Sequence, residues 1–422
     1  MTKPEAFFFV LSSNLAAVMN RSWLFLLILC PLFSFSQVKI TGVVLNMGDT
    51  KPVASASVFL SNTTSGDETA GDGTFTIVNI KPGKYDLIVS ILGYDSYQQA
   101  IIVGNKDIQL APISLVSSAI MLKAVKIKPD NGWYRLYKDF KAEFLGNSSY
   151  AAECKIRNPD SLELNYDPDS RQLTARSRGF LIIENKALGY RIKYLLTRFV
   201  KDYKQQELVY KGYTIFEELK GSPAEKIKWI QNRLDCYRGS PMHFLRAVLK
   251  DRVEAEGFGV YKLIRRLNPD YAGLESSSGL ITRTPQFKYR EIFTDSIVKR
   301  TDYFDETQQK GIYTIDYPNS LYIIYKNRVD YQRAPVYKQF NMPNWESSIL
   351  TLTQPILPPD SSASAKPIMV AYPKLWNYAR VLKPPYAFFD DNGVLTDPMM
   401  VAYEGYWAFM RVAELLPVNY EP

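Results

Sequence analysis

Residues 71–94, GDGTFTIVNIKPGKYDLIVSILGY, restrict the fold more than any other part of the chain. Asp72-Gly73 is a turn pair, and Phe75, Ile77 and Asn79 then point one way along a strand while Thr74, Thr76 and Val78 point the other. Lys81-Pro82-Gly83-Lys84 predicts a tight type II turn, because proline presets φ at its second position and glycine accepts positive φ at its third. Tyr85, Leu87, Val89 and Ile91 alternate with Asp86, Ile88 and Ser90 until Gly93-Tyr94 stops the run. The stretch therefore reads as two alternating β-strands bracketed by turns.

Neighbouring segments repeat the theme. VKITGVVL (38–45) and ASVFLSN (56–62) lie upstream, YQQAIIV (97–103) follows, and AIMLKAVKIK (119–128) reads as a closing strand. Short strands at this spacing indicate a β-sandwich over residues 37–130.

Ahead of the sandwich, residues 1–36 read as a secretory signal peptide, with the start of translation at Met19. Arg21 supplies the positive n-region, Trp23 to Phe35 form an apolar run of about 13 residues, too short to span a bilayer, and Ser34 and Ser36 are the small residues before a cut. Leu29 stands where a lipoprotein signal needs a small residue, so Cys30 is not read as an acylated cysteine. The expectation is an exported chain, periplasmic, associated with the outer membrane or at the cell surface, and not an integral membrane protein.

The sandwich carries a family resemblance. The ordered submotifs Gly42-x-Val44, Pro52-Val53-x-x-Ala56-x-Val58, Asp72-Gly73-x-Phe75-x-Ile77, Pro82-Gly83-x-Tyr85-x-Leu87 and Gly93-Tyr94 resemble the carboxypeptidase regulatory-like domain, over roughly residues 38–115. The resemblance implies a transthyretin-like (prealbumin-like) sandwich in which Gly42, Asp72, Gly73, Phe75, Pro82, Gly83, Tyr85, Gly93 and Tyr94 are structural. It also implies an accessory module, named for its place beside a zinc protease, common on exported Bacteroidota proteins and in front of TonB-dependent outer-membrane receptors. The FSFSQ end of the leader resembles that phylum's exports too.

Residues 131–422 read as a mixed α+β domain, mainly antiparallel. Trp133, Leu136, Tyr137, Phe140 and Phe144 share one helical face. Strand patterns follow in LELNY, QLTAR, GFLIIEN, YRIKYLLTRFV and ELVYKGYTIF between Leu162 and Phe216. Ser222-Pro223 with Glu225, and then Ser240-Pro241, are cap-and-proline helix starts. Ile227, Ile230 and Leu234 line the first of these helices; Leu245, Val248 and Leu249 line the second. Strands are expected at Gly259–Ile264, Tyr289–Phe293, Ile312–Tyr317, Leu321–Tyr325 and Ile349–Thr353. A Pro/Ser-rich loop spans 354–367, and a last helix capped by Asp397-Pro398 carries Tyr403, Trp407, Met410 and Val412. Blocks such as IENKALGYRIKYLL and YRGSPMHFLRAVL resemble a C-terminal region of Bacteroidota proteins with the same two-part layout, for which the resemblance implies no chemistry.

Arithmetic excludes a zinc carboxypeptidase. Such sites use two histidines and a glutamate, and His243 is the sole histidine in 422 residues. A serine triad would have to use His243 with Ser240, which its sequence position already explains as a helix cap, and no G-x-S-x-G elbow occurs. A cysteine nucleophile at Cys236 would need the same histidine. The acid pairs Glu217/Glu218, Glu254/Glu256 and Asp390/Asp391 could serve a glycosidase only at the right spatial separation. Gly257–Gly259 lacks the GK[ST] of a phosphate loop. No catalytic, metal or cofactor residue is therefore assigned.

The formal charge is +8, and residues 37–130 balance lysines against acids, so the surplus lies in residues 131–422. Arg171, Arg176, Arg178, Arg191, Lys193, Arg198 and Lys201 form either a solvated face or a surface for anionic envelope partners. Nucleic acid does not suit an exported chain. Cys154 and Cys236 remain after the leader, either bridged or as two buried thiols. The 29 Tyr, 22 Phe and 6 Trp fit core packing or an exposed face for a partner. These features favour a non-catalytic envelope protein, a docking sandwich plus a partner-binding domain, associated with TonB-dependent transport or outer-membrane assembly machinery. The alternatives are a glycan-binding protein that uses exposed aromatics and a hydrolase in the C-terminal domain.

Overall fold

A computed structural model describes residues 38–117, 131–204, 207–267, 289–317, 320–327, 368–373, 387–397 and 400–422. The expected strands at 119–128 and 349–353, the loop at 354–367 and the leader lie outside them, as does the boundary at residue 130.

The N-terminal part is the expected sandwich. One sheet is built on β1 (Val38–Asn46), paired antiparallel with β4 (Thr74–Ile80) and parallel with the short β7 (Ile108–Gln109) and β8 (Ile113–Leu115). The other runs in the order β3 (Gly66–Glu68), β2 (Ser57–Leu60), β5 (Gly83–Ser90), β6 (Tyr97–Val103). Their facing sides bury Ile40, Val44, Val58, Leu60, Phe75, Ile77, Tyr85, Leu87 and Val89 as one core. Alternation places these side chains there, since period-two residues share a face.

Two details differ from the sequence pattern. Asn79 does not continue the inward row: it sits at φ +61°, exposed, and Ile80 turns inward in its place. Lys81–Lys84 is not a type II turn, for Gly83 has φ +159° and is already paired with Val103 in β5. One chain reversal is thus shared between Asn79 and the Pro82 bend. Gly73 does meet its expectation. It has φ +76°, and a Cβ there would lie 2.5 Å from the Val44 carbonyl, so only glycine fits.

The C-terminal part is α+β. Helix α1 (Asn131–Leu145) presses Phe140 and Phe144, both fully buried, onto a six-stranded antiparallel sheet. That sheet holds β9 (Cys154–Ile156), β10 (Leu162–Asp167), β11 (Gln172–Ser177), β12 (Phe180–Asn185), β13 (Tyr190–Asp202) and β14 (Glu207–Glu218), after the four-residue helix α2 (Ser149–Ala152). The long β13 pairs with β12 and β11 end to end along one edge and with β14 along the other, with a bulge between Leu196 and Arg198. Phe144 meets Tyr194, Phe199 and Tyr210 edge-on, so much of the aromatic content is core.

Helices α3 (Pro223–Tyr237) and α4 (Pro241–Leu249) start where predicted. Ser222 and Glu225 form a reciprocal capping box, and Ser240 accepts the His243 N–H. A second sheet follows in the order β16 (Tyr289–Ile297), β15 (Phe258–Leu267), β19 (Ser320–Tyr325), β20 (Ile368–Pro373), β22 (Val401–Gly405), and a third joins β17 (Phe304–Glu306), β18 (Ile312–Ile315) and β21 (Ala387–Asp390).

The expected last helix is mostly not helix. Tyr403 lies in β22, paired with Ala371, and only α5 (Tyr406–Phe409) and a single 3-10 turn at Val412–Glu414 follow. The free edge of β20 supplies hydrogen bonds that outweigh the local helical pattern.

Candidate functional site

Most of the residues weighed for chemistry are held in structural roles among the described residues. His243 is buried between α3 and β15. Its Nδ1 accepts the Gly239 N–H at 3.0 Å, so the proton sits on Nε2, which faces Glu256 Oε2 at 3.4 Å. Tyr237, Phe258 and Tyr325 enclose the ring. Ser240 Oγ contacts the backbone N–H of His243 and not its ring. Neither imidazole nitrogen is left to take a proton from a nucleophile.

Burial lowers the His243 pKa, with the Glu256 contact opposing and smaller. A depressed folded-state pKa means that the neutral ring contributes stability above the usual histidine range, and that this is lost as pH falls toward the folded value. His243→Asn keeps an acceptor where Nδ1 stands but cannot titrate. The stability gap between wild type and H243N is therefore expected to narrow as pH drops from about 7.5 to about 5. Urea midpoints at several pH values measure it; a constant gap contradicts the assignment.

Five of the six acids in the acid pairs are likewise tied. Glu217 pairs with Lys193 at 2.5 Å, Glu218 with Arg233 at 2.8 Å, and Glu256 faces His243 and Arg252. Asp390 is pushed up to about 6, chiefly by burial, and burial raises Asp316 as well. The Asp390 Oδ1 accepts the Asn392 and Val394 N–H groups at 3.0 and 3.1 Å, closing the Asp390–Gly393 turn, while Asp391 accepts the Tyr313 hydroxyl at 2.8 Å. Among the described residues no group of three or more His, Cys, Asp or Glu gathers as a metal site, and no helix is long and apolar enough to cross a membrane.

Cys154 and Cys236 are both buried, and no disulfide joins them. Burial pushes the Cys154 thiol up to about 12, so its thiolate is scarce at neutral pH. Both cysteines are expected to resist a thiol-specific chromogenic disulfide in the native protein and to react when it is unfolded. Fast labelling of the folded chain contradicts this.

Many of the basic side chains on the sheet are paired with acids. Arg157, Glu184, Arg191, Glu217 and Lys193 form a chain of cross-strand ion pairs, Arg176 and Arg178 share Glu163, and Lys201 meets Glu143 at 3.4 Å. The most exposed aromatics, Tyr134, Tyr166, Phe388 and Phe409, sit on four different elements, and on α1 the half-buried Trp133 stacks on Tyr137 beside Tyr134.

Two surfaces do stand out. The first joins the two parts of the chain. The outer face of the β3-β2-β5-β6 sheet carries Phe59 and Ile88, both at 0% exposure although they point away from the sandwich core. Phe180 covers Phe59 at 5.6 Å, and a Cβ at Gly66 would strike Ile215. Beside this contact the Asn62–Thr63 loop adds to the edge of β14: the Asn62 N–H donates to Thr214 O and the Phe216 N–H to Thr63 O, at 2.7 and 2.9 Å. The C-terminal tail closes the joint, with the Val418 N–H on Asn62 O and the Val418 side chain inside the sandwich core. Asn62 takes φ +62° there, and its Oδ1 accepts the Thr214 hydroxyl. Sequence reasoning missed this joint; its one local trace is the buried outward positions Phe59 and Ile88 on strands expected to be half solvated.

The second surface is the solvent side of α3. Trp229, Cys236 and Tyr237 are buried, whereas Ile227 and Ile230 are 59% and 62% exposed. The predicted apolar line is real, but it faces outward. The inward side is fixed by the 186–189 turn, whose carbonyls at Lys186, Ala187 and Leu188 accept from Trp229 Nε1, Asn232 Nδ2 and Arg233 Nε at 2.7–2.8 Å. Unpaired buried carbonyls would be costly, so the face that satisfies them turns in, even though it carries polar residues.

Residues 40–127 match the family model of the CarboxypepD_reg-like domain. This segment is a CarboxypepD_reg-like domain. It is a regulatory-type module without catalytic residues of its own, and the motif residues Gly42, Asp72, Phe75 and Tyr85 lie in its strands and turns. Gly42 stands opposite Phe75 across β1 and β4, Asp72 Oδ1 accepts the Thr74 N–H and hydroxyl, and the Tyr85 hydroxyl donates to Lys81 O. Pro82 bends into β5, and Gly93, at φ +91°, with Tyr94 ends it.

No curated protein matches the chain. Among solved structures it is similar to a mutant type II cohesin–X–dockerin complex from Acetivibrio cellulolyticus, at 21% identity over 18% of this chain and 56% of that one, TM-score 0.17. It is also similar to the group B streptococcus pilus 2b backbone protein, at 19% identity over 19% and 42% of the two chains, TM-score 0.17. A DUF3823 family protein from Parabacteroides merdae matches at 13% identity over 44% and 82%, TM-score 0.15. The first two matches span less than two thirds of those chains, and at TM-scores this low none bears on function.

Proposed function

We propose that this chain is a non-catalytic, exported cell-envelope protein, in which the CarboxypepD_reg-like domain and a C-terminal domain beginning near residue 131 form one platform for a partner. On this reading residues 1–36 are its signal peptide, and it works in the periplasm, at the outer membrane or on the cell surface. Its partner belongs to TonB-dependent transport or outer-membrane assembly machinery. One observation carries the proposal: the sheet face that a free docking module would offer is covered by the chain's own Phe180 and Ile215. Partner contacts must then come from the rest of the surface, and most of the groups weighed for chemistry support the platform instead. Crosslinking the tagged full chain in its native host, followed by pull-down, tests it. Recovery of an outer-membrane transport or assembly component is expected; recovery of no envelope protein, or hydrolysis of a peptide or glycan by the purified chain, overturns it.

A further inference from the structure

Pro223, Ile227 and Ile230 are exposed along the solvent side of α3, and the half-buried Leu234 continues the line, at spacings of four, three and four. That is the 3.5-residue seam by which one helix receives another, with these residues at a and d positions. A helix that met only water would carry polar residues there, and two isoleucines about 60% exposed, one turn apart, are the ridge of an unfilled contact. The seam is rigidly presented. Trp229 and Asn232 hold the opposite side to the 186–189 turn, Arg233 reaches the same turn from beside the seam, and a capping box fixes the first turn.

Charge decides what fits. Lys226 occupies the g position beside the seam and Lys220 precedes the helix; both are exposed and neither makes an ion pair among the described residues. The acids nearby are already engaged: Glu225 caps the helix, Glu218 holds Arg233 and Glu153 holds Lys228. A second copy would bring two such basic rims together.

We infer that the outward face of α3 docks an acidic amphipathic helix of the partner, with apolar residues on its seam and Asp or Glu at the flanking positions opposite Lys220 and Lys226. The inference rests on the platform reading and names the partner's chemistry. A seam this short gives binding in the micromolar range, steered by the flanking charges and weakened by salt.

The test uses the full chain and two synthetic helical peptides of about three heptads, both with Leu at a and d, one with Glu and the other with Lys at e and g. Fluorescence anisotropy should show the Glu peptide binding at least about tenfold more tightly than the Lys peptide. Ile227→Ser with Ile230→Ser should weaken the Glu peptide about tenfold or more while leaving the urea midpoint unchanged, because both side chains are exposed. Lys220→Glu with Lys226→Glu should reverse the preference. Equal binding of both peptides, no binding, or indifference to the serine pair overturns the inference. So does self-association that the serine pair abolishes, or binding to phosphatidylglycerol vesicles through the same residues in place of the peptide. Failure here with an envelope partner still recovered by pull-down removes only this surface; an empty pull-down removes the platform reading itself.

Discussion

Replacing Trp229 with alanine should destabilise the C-terminal part by about 3–5 kcal/mol, in the range of large aromatic truncations. The ring is 6% exposed and its Nε1 donates to Lys186 O at 2.8 Å. Two glycines exist to receive it: a Cβ at Gly189 would lie 2.1 Å from the indole and one at Gly221 2.3 Å from it. Truncation leaves a cavity and an unpaired carbonyl together, and neither turn can collapse without losing its own hydrogen bonds. Gly189→Ala should be nearly as harmful, since φ +70° disfavours any side chain and the new methyl clashes. Urea unfolding followed by tryptophan-independent far-UV circular dichroism measures both. Ile230→Ser, one residue away on the opposite side, is the control, and a W229A loss no larger than the control's refutes this packing.

The second large effect is expected at Arg246. Its guanidinium donates to three carbonyls, Asn392 O and Tyr420 O at 2.8 Å and Val418 O at 2.7 Å, and lies near the Tyr237 ring. One side chain of α4 thus ties the Asp390–Gly393 turn to the C-terminal tail, and the tail in turn places Val418 in the sandwich core. Arg246→Met removes all three charge-assisted bonds, each about 1.5–3 kcal/mol and not additive, for a total loss of about 3–5 kcal/mol. Arg246→Lys should recover little, because an ammonium cannot span three carbonyls set for a planar fork. Hydrogen exchange locates the effect: the Val418 amide, bonded to Asn62 O, should lose protection far more than the β13–β14 ladder. Unchanged protection at Val418 rules out the tie.

The sandwich was legible because its strands are short, alternate strictly and are bounded by glycine and proline turns. Local patterns were enough to assign Phe75, Ile77, Leu87 and Val89 to one core. The capped starts of α3 and α4 were legible for a similar reason, since a cap is a contact within four residues. The Tyr403 region went the other way. Its helical spacing is local, but the hydrogen bonds that made it strand come from β20, some thirty residues earlier in the chain.

Sequence by itself determined which residues share a face and where α3 and α4 begin. It did not determine which face meets which neighbour. On α3 two sectors compete, Ile227-Ile230-Leu234 and Trp229-Cys236-Tyr237, and hydropathy alone favours the isoleucines. Tertiary structure turned the tryptophan side in because the carbonyls of the 186–189 turn needed donors. The same holds for Phe59 and Ile88, whose burial depends on Phe180 and β14, more than ninety residues away. Periodicity is a property of neighbours along the chain, whereas burial is settled by the distant groups whose polar atoms have to be satisfied.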